Sequence, residues 1–556
     1  MAHHFPDRRE FRKDFFALLG PESGFYKVVL VYSLAISLLT LAVPISLQLL
    51  VDTVANIALV RAVVLIASLL FALLLISGVM YALRAYAMEL FSRKLYARIS
   101  SEIAMTAMLA EPEHFAHKQK SDLFNRYFDI ITLKKSIPDI LTNGFTLILQ
   151  AIIGFTVVSF YHFYFFIFST MLLFLIWLIW RIWGWHAIES SFRLSEAKYQ
   201  TAAWLQSLAL NNESYSSSHN PHFGLQQTDR LVASHVQCQR DHFRHTFSQL
   251  LGMLFLYAAA SAMLLGIGGW LVIQGQLTLG QLVAAELIMS AIFVGLPQLA
   301  GYMDSFYYVC AAVEELSRFR TVQTEAPDKD SDIAFPNDPE VVFSKVKLMH
   351  LGQPMELNLK IPRSGCFKVS GNILCLRSIA DLLRRHYPPN SGIITIGGHD
   401  TVDIQREDLR RSIRVINRVT VPPLSVKDFL NLFVHSDGKY SRQQALALMQ
   451  LDDEIAHLEN GIDTVLNRGA WPLSQPQAIR LKLASALLSE PSILILEDIV
   501  DAVDSEIMDA YLNAMQQLGT TVLYFTRRED MGEFEFELKL QTHEQKSLSL
   551  GGAEVS

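Results

Sequence analysis

The sequence predicts an α-helical membrane domain of six spans followed by a soluble α/β domain. Three observations carry that prediction. Hydrophobic residues make up 51% of the 556, and the mean hydropathy is +0.26, high for a soluble protein of this size. Nearly all of that excess lies before residue 310, where uncharged runs of membrane-crossing length recur. After residue 340, short β-rich runs alternate with helical patterns, which implies a largely parallel sheet covered by helices.

A spanning helix needs ~20 apolar residues, because the hydrocarbon layer is ~30 Å thick and each residue rises ~1.5 Å. No residue is charged between Lys27 and Asp52, nor between Arg61 and Arg84, which places the first two spans. Ile140 to Trp180 is long enough for two more, with a tight turn at Tyr161-His162-Phe163. Thr246 to Ala285 repeats the pattern, broken at Gln274-Gly275-Gln276, and the sixth span ends near Asp304. Lys and Arg concentrate in the N-terminal segment and in stretches 89–137 and 181–245, so both termini are expected on the cytosolic side. Those stretches are helix-compatible and extend the spans beyond the bilayer, with bends near 113–125 and 205–220. Trp177, Trp180, Trp183 and Trp185 read as an interfacial belt rather than a substrate-stacking surface. Glu286 sits roughly one and a half turns into the sixth span. A carboxylate at membrane depth is costly and is a cavity-lining candidate, with a hydrogen bond to a neighbouring helix as the plainer account.

Composition excludes several classes. The net charge of −7 argues against a nucleic-acid partner. Cys238, Cys310, Cys366 and Cys375 have neither paired nor metal-ligand spacing, so free thiols and no metal are expected. The first 24 residues carry Arg8, Arg9, Arg12 and Lys13 without an apolar run, unlike a cleavable signal peptide.

Residues 321–340 are rich in Asp, Pro and Thr, a linker composition. Beyond them come FKVS and SIADLLRRHY, GIITI and REDLRRSI, then RVI. QAIRLKLASALL, SILIL, DSEIMDAYLNAMQQL and TVLYF follow. The order of these segments resembles the ATP-binding cassette. LTLGQLVA at the start of the sixth span and AAVEELSRF before the linker resemble the ABC exporters of haemolysin-type (type I) secretion. HYPPNSGIITIGGHD with REDLRRSIRVI resembles the cassette segment between phosphate and glutamine loops, and LSQPQ followed by SILILEDIVDAVD resembles signature, Walker B strand and D-loop. The resemblance covers Phe25 to about Arg528. It implies a type I ABC exporter fold with domains at 1–24 (N-terminal segment), 25–320 (six-helix membrane domain), 321–340 (linker), 341–545 (nucleotide-binding domain) and 546–556 (tail).

Carried over residue by residue, the resemblance also implies what has been lost. A phosphate loop needs glycines for its backbone cradle, a Lys for the phosphates and a hydroxyl for Mg²⁺. Here the loop falls on Ser370, Gly371, Asn372, Ile373, Leu374, Cys375, Leu376, Arg377 and Ser378, with Leu376 at the Lys and Arg377 at the hydroxyl. Losing both contacts, at ~1.5–3 kcal/mol each, weakens nucleotide binding by roughly two to four decades. The adenine-stacking position is His350 and the glutamine-loop position Arg418. The Walker B pair reads Glu497-Asp498 where the family has Asp then Glu. The switch histidine position is Arg527, which stays protonated. In the signature, Ser474 and Gln477 persist but Pro476 removes a backbone donor.

The expectation is a catalytically degenerate exporter-like protein: a non-hydrolysing subunit or scaffold of a secretion system, without ATPase activity of its own. The alternatives are the degenerate half of a heterodimeric exporter with a competent partner, and a ligand-sensing membrane module. No cofactor is expected, ATP and Mg²⁺ entering only with a competent partner. The expected setting is the bacterial inner membrane, as a homodimer or heterodimer contacting lipid, with a periplasmic adaptor and outer-membrane duct as further partners. Arg377, Arg418 and Arg527 stand near Glu497, Asp498, Asp501 and Asp504, and are expected either to pair across the seam between two cassettes or to be solvated.

Overall fold

The computed structural model describes the chain apart from residues 1–7, 57–59, 112–120, 218–221, 326–327, 329–332, 337–338, 351–352, 436–437, 529–533, 542–544 and 550–556. It divides into two compact units, Met1–Glu325 and Ala326–Ser556.

The first unit is helical: α1 (Arg8–Leu19), α2 (Ser23–Leu39), α3 (Ala42–Asn56), α4 (Val60–Leu109), α5 (Asp129–Asp139), α6 (Phe145–Ser159), α7 (Phe163–Leu210), α8 (Asn212–Ser216), α9 (His222–Ile273) and α10 (Leu279–Ser317). Among the described residues, six helical stretches are long and apolar enough to cross a membrane. The first span is interrupted at Thr40, and Pro44 is tolerated in the first turn of α3, where no intrahelical donor is needed. The third span joins α5 to α6 through a π-turn, Ile140–Gly144, just after Pro138. The turn after α6 ends at His162, whose Nδ1 accepts the Tyr164 N–H at 3.2 Å and so caps α7. Gly275, with φ +69°, makes the turn after α9. Thr278 and Gln281 then close a reciprocal cap on α10 at 3.0 and 3.1 Å, which explains the TLGQ of the sixth span.

Helix α1 is not a loose leader: Leu18 and Leu19 are buried, and Phe11 meets Phe192 of α7 at 5.7 Å. The polar end of α10 is fixed by charge. Glu315 is buried and pairs with Arg126 and, at 3.4 Å, with Arg318, while Arg318 also reaches Glu196 at 3.4 Å. The expected bend near 113–125 falls largely outside the described residues, whereas the bend at 205–220 is the end of α7 with α8.

The second unit holds two sheets. Strands β1 (Val341–His350), β2 (Gln353–Ile361), β4 (Ser391–Ile396) and β5 (His399–Asp400) form an antiparallel sheet in the order β2-β1-β4-β5. Strands β3 (Cys366–Gly371), β6 (Ile413–Ile416), β7 (Ile493–Leu496), β8 (Thr521–Phe525), β9 (Phe536–Leu540) and β10 (Gln545–Ser549) run β10-β9-β3-β8-β7-β6, parallel except at β10. The helices are α11 (Ile373–Leu383), α12 (Arg406–Ser412), α13 (Val426–Asn431), α14 (Arg442–Leu448), α15 (Asp452–Ala456), α16 (Gln475–Ser489) and α17 (Ser505–Gln517).

Two expectations need correction here. GIITI belongs to the antiparallel sheet, because β4 pairs antiparallel with β1 and β5 and not with the parallel strands β3 and β6. The soluble domain also runs past residue 545, since β10 completes the sheet against β9. Burial separates two cores, one under the first sheet and α11, the other under α13, α14, α16 and α17.

Candidate functional site

The phosphate-loop positions lie at the junction of β3 and α11. Strand β3 continues through Gly371, which pairs with Leu540, and α11 starts at Ile373, so a single residue connects them. The segment that would have to curl around phosphates is therefore already helix. Gly371 sits at φ +103°, and a Cβ there would collide with the Leu540 carbonyl oxygen. Its glycine is thus required by strand pairing alone. Asn372 caps α11: its Oδ1 accepts the Leu374 N–H and its carbonyl the Cys375 N–H, both at 3.0 Å. Those are donors that a helix N-terminus would otherwise offer to an anion.

The side chains follow suit. Cys375 and Leu376 are fully buried among Val369, Ile379 and Leu523, and burial raises the Cys375 thiol above its ordinary range. Ser378 is also fully buried, and its Oγ donates to the Leu374 carbonyl at 2.8 Å. Ser370 Oγ donates to Glu537 Oε1 at 3.2 Å. Arg377 alone of this helical face emerges. Its Nε donates to both Glu497 oxygens at 3.1 Å and its Nη2 to Oε2 at 2.7 Å. Glu497 is 2% exposed, at the end of β7. The hydrogen bonds to Glu497 hold the Arg377 guanidinium above its usual range, against the opposing effect of burial. By the family's spacing, these are the two positions that would hold Mg²⁺ between a hydroxyl and a carboxylate. Here they hold each other, in a charge-assisted, forked pair.

Of the charges expected either to pair across a seam between cassettes or to be solvated, Arg377 and Glu497 thus pair with each other within one chain. Asp498 is half-buried at the start of the 3₁₀ turn Asp498–Ala502. Asp501 is taken up locally as well: Oδ1 accepts the Tyr524 hydroxyl at 2.7 Å and Oδ2 the Arg527 N–H at 3.3 Å. Burial and the Asp501 carboxylate push the Tyr524 phenol well above its ordinary range. Arg528, which sequence reading missed, donates to the carbonyls of Asp501 and Val503 at 3.2 and 2.6 Å and so ties the D-loop to the end of β8. Asp504 is exposed and precedes α17. The Arg418 side chain is exposed, whereas its carbonyl accepts from Lys482. Burial, with Arg414 and Arg418 nearby, lowers the Lys482 ammonium to about 8. The His350 side chain lies outside the described residues.

The signature residues serve the fold. Ser474 N-caps α16, its N–H donating to Gln477 Oε1 at 2.7 Å in a capping box. Pro476 stands in the first turn, where a missing N–H leaves no intrahelical bond unmade. In the first unit, Glu286 Oε1 accepts from Ser290 Oγ at 3.1 Å, and Oε2 is shielded without a hydrogen-bond partner among the described residues. No three His, Cys, Asp or Glu side chains gather to ligate a metal among the described residues.

Comparison with known proteins fits this architecture. The model of the ABC transporter transmembrane region matches residues 28–202, and the ABC transporter model matches residues 378–500. The exotoxin translocation ATP-binding protein PaxB of Pasteurella aerogenes is 27% identical over 321 residues, 54% of this chain and 43% of that protein. The alpha-hemolysin translocation ATP-binding protein HlyB of Escherichia coli O157:H7 is 26% identical over 296 residues, 50% of this chain and 40% of that one. The alignments thus span less than half the length of these curated relatives. A bacterial Atm1-family ABC exporter solved with ATP bound has the same fold, with a TM-score of 0.77 at 20% identity, covering 95% of this chain and 96% of that one. The chain accordingly belongs to the ABC exporters, as a half-transporter with a transmembrane region and an ABC domain, homologous to the haemolysin-type secretion proteins.

Proposed function

We propose that this protein is a non-hydrolysing member of its family, a membrane subunit or scaffold of an export system that does not run on its own ATP. The Arg377–Glu497 pair carries this reading. A guanidinium stands at the position of the hydroxyl that would bind Mg²⁺, its positive charge already satisfied by the carboxylate that would hold the metal. The β3–α11 junction supports it, since one capping residue replaces the cradle and the lysine position faces the core. The residues present therefore do not fit a nucleoside triphosphate with Mg²⁺, and no hydrolytic step is assigned to Glu497, Asp498 or Arg527.

Pairing with a competent half-transporter is the less favoured reading. The partner's phosphate loop would need this chain's signature, and there Ser474 and Gln477 are engaged with each other around Pro476. A dimer in the inner membrane, with both termini cytosolic, is the setting in which we place the protein. The apolar stretches and the exporter fold support it.

The test is turnover by the full chain purified in lipid nanodiscs. We expect Mg²⁺-dependent ATP hydrolysis at background level, and the same level after Asp498→Gln. Saturable hydrolysis that Asp498→Gln removes would reverse the assignment.

A further inference from the structure

Arg84 closes the uncharged run of the second span, where the apolar part of α4 gives way to its polar continuation. Its side chain turns inward rather than to solvent. The residue is 3% exposed, and Nη1 donates to Ser33 Oγ at 3.0 Å and to Thr146 Oγ1 at 2.6 Å. Ser33 belongs to α2 and Thr146 to α6, so three helices fix the guanidinium. Both partners are neutral hydroxyls, which orient the charge without cancelling it. A buried cation at membrane depth is costly and marks a functional candidate.

Arg84 lines a cavity of about 500 Å³ between α4, α5 and the π-turn. Lys134 and Lys135 of α5 line it too, as do Thr142 and Asn143 of the turn. Such turns often mark functional positions because they displace side chains from helical register. Two carboxylates share the wall, and both are engaged: Glu89 accepts from Arg93 Nε at 2.9 Å, and Asp139 from Asn143 Nδ2 at 2.7 Å. The cavity wall carries three cations against two carboxylates, a net positive charge, and has room for a group of headgroup size. Along the same face of the helix, towards the apolar part of the span, Tyr81, Leu74 and Phe71 are exposed.

We propose that this cavity binds the phosphate-bearing headgroup of an anionic phospholipid. Arg84, Lys134 and Lys135 engage the phosphate oxygens, and the acyl chains lie along the exposed apolar side chains of α4. Guanidinium presents a planar fork that suits phosphate, and basic pockets between spanning helices attract anionic headgroups. Inorganic phosphate offers the same oxygens, but it would leave the adjoining apolar surface uncovered, which is why lipid is the assigned source.

The experiment uses the full-length protein in detergent, with added phosphatidylglycerol, phosphatidylcholine or sodium phosphate, and reads bound lipid by native mass spectrometry together with thermal stability. Wild type is expected to retain and be stabilised by phosphatidylglycerol over phosphatidylcholine. Lys134→Glu with Lys135→Glu, two exposed positions, should lower that preference roughly ten-fold or more. Arg84→Gln should lower it similarly; should that variant fail to fold, the double lysine variant decides alone. Equal retention of the two lipids, or a preference unchanged by the double substitution, overturns the site. Stabilisation by sodium phosphate equal to that by phosphatidylglycerol overturns the lipid assignment in favour of a soluble anion.

Discussion

Leu376→Lys, which restores the residue type of a working phosphate loop, is expected to unfold the ABC domain rather than revive it. Leu376 is fully buried, packed in the core with Val369, Ile379, Ile495, Leu523 and Phe525. An ammonium there has neither water nor a carboxylate. A polar group buried without a partner costs roughly 2–7 kcal/mol and a charge more, against a total stability of about 5–15 kcal/mol. The lysine will respond by deprotonating or by forcing α11 off the sheet, and neither outcome places a cation beside a phosphate. The measured result should be a fall in melting temperature of about 10 °C or more, with no gain of ATP binding. Leu376→Met, which conserves volume, should cost less than about 1.5 kcal/mol. An unchanged melting temperature combined with new Mg²⁺-dependent turnover would show that Leu376 is a drifted loop residue and not part of the core.

The second large effect is an asymmetry in the Arg377–Glu497 pair. Arg377→Ala strands a carboxylate that is 2% exposed, and the loss should approach the ~3–5 kcal/mol of a broken buried pair. Glu497→Gln leaves a guanidinium whose side chain is 45% exposed and can take up water. Its cost should be nearer ~1 kcal/mol, that of one hydrogen bond. Arg377→Met combined with Glu497→Leu should recover most of the loss, because two apolar groups remove the desolvation penalty along with the attraction. Chemical denaturation of the three variants beside the wild type reads the order directly. Equal costs for the two single substitutions would mean that the pair is solvated and contributes little.

Much of this was legible in the chain because the membrane imposes a length. Uncharged runs had to be spans, and the breaks at His162 and Gly275 fall where a helix cap and a positive φ are found. The alternating segments of the soluble half were equally visible. The sheet to which each strand belongs was not, since GIITI satisfies a parallel or an antiparallel partner equally well. Counting along the motifs placed the phosphate-loop positions, but it treated them as a loop. The run Ile373-Leu374-Cys375-Leu376 after Asn372 is an N-cap followed by an apolar helix start, a signal that was present and competed with the motif frame. The Arg377–Glu497 pair joins positions 120 residues apart, so only the folded sheet brings it together. Arg84 was read as the end of a span, because hydropathy reports that a charge stops a run and says nothing of where the side chain turns.

The central claim is that an internal ion pair and a capped helix have taken the place of the nucleotide. Equilibrium binding of radiolabelled ATP with Mg²⁺ to the full chain in nanodiscs tests it most directly. The expected result is no saturable binding at millimolar nucleotide, weaker than about −4 kcal/mol, and the same after Arg377→Ser with Glu497→Asp, since the helix still begins at Ile373. Saturable, Mg²⁺-dependent binding by the unmodified protein would contradict the account.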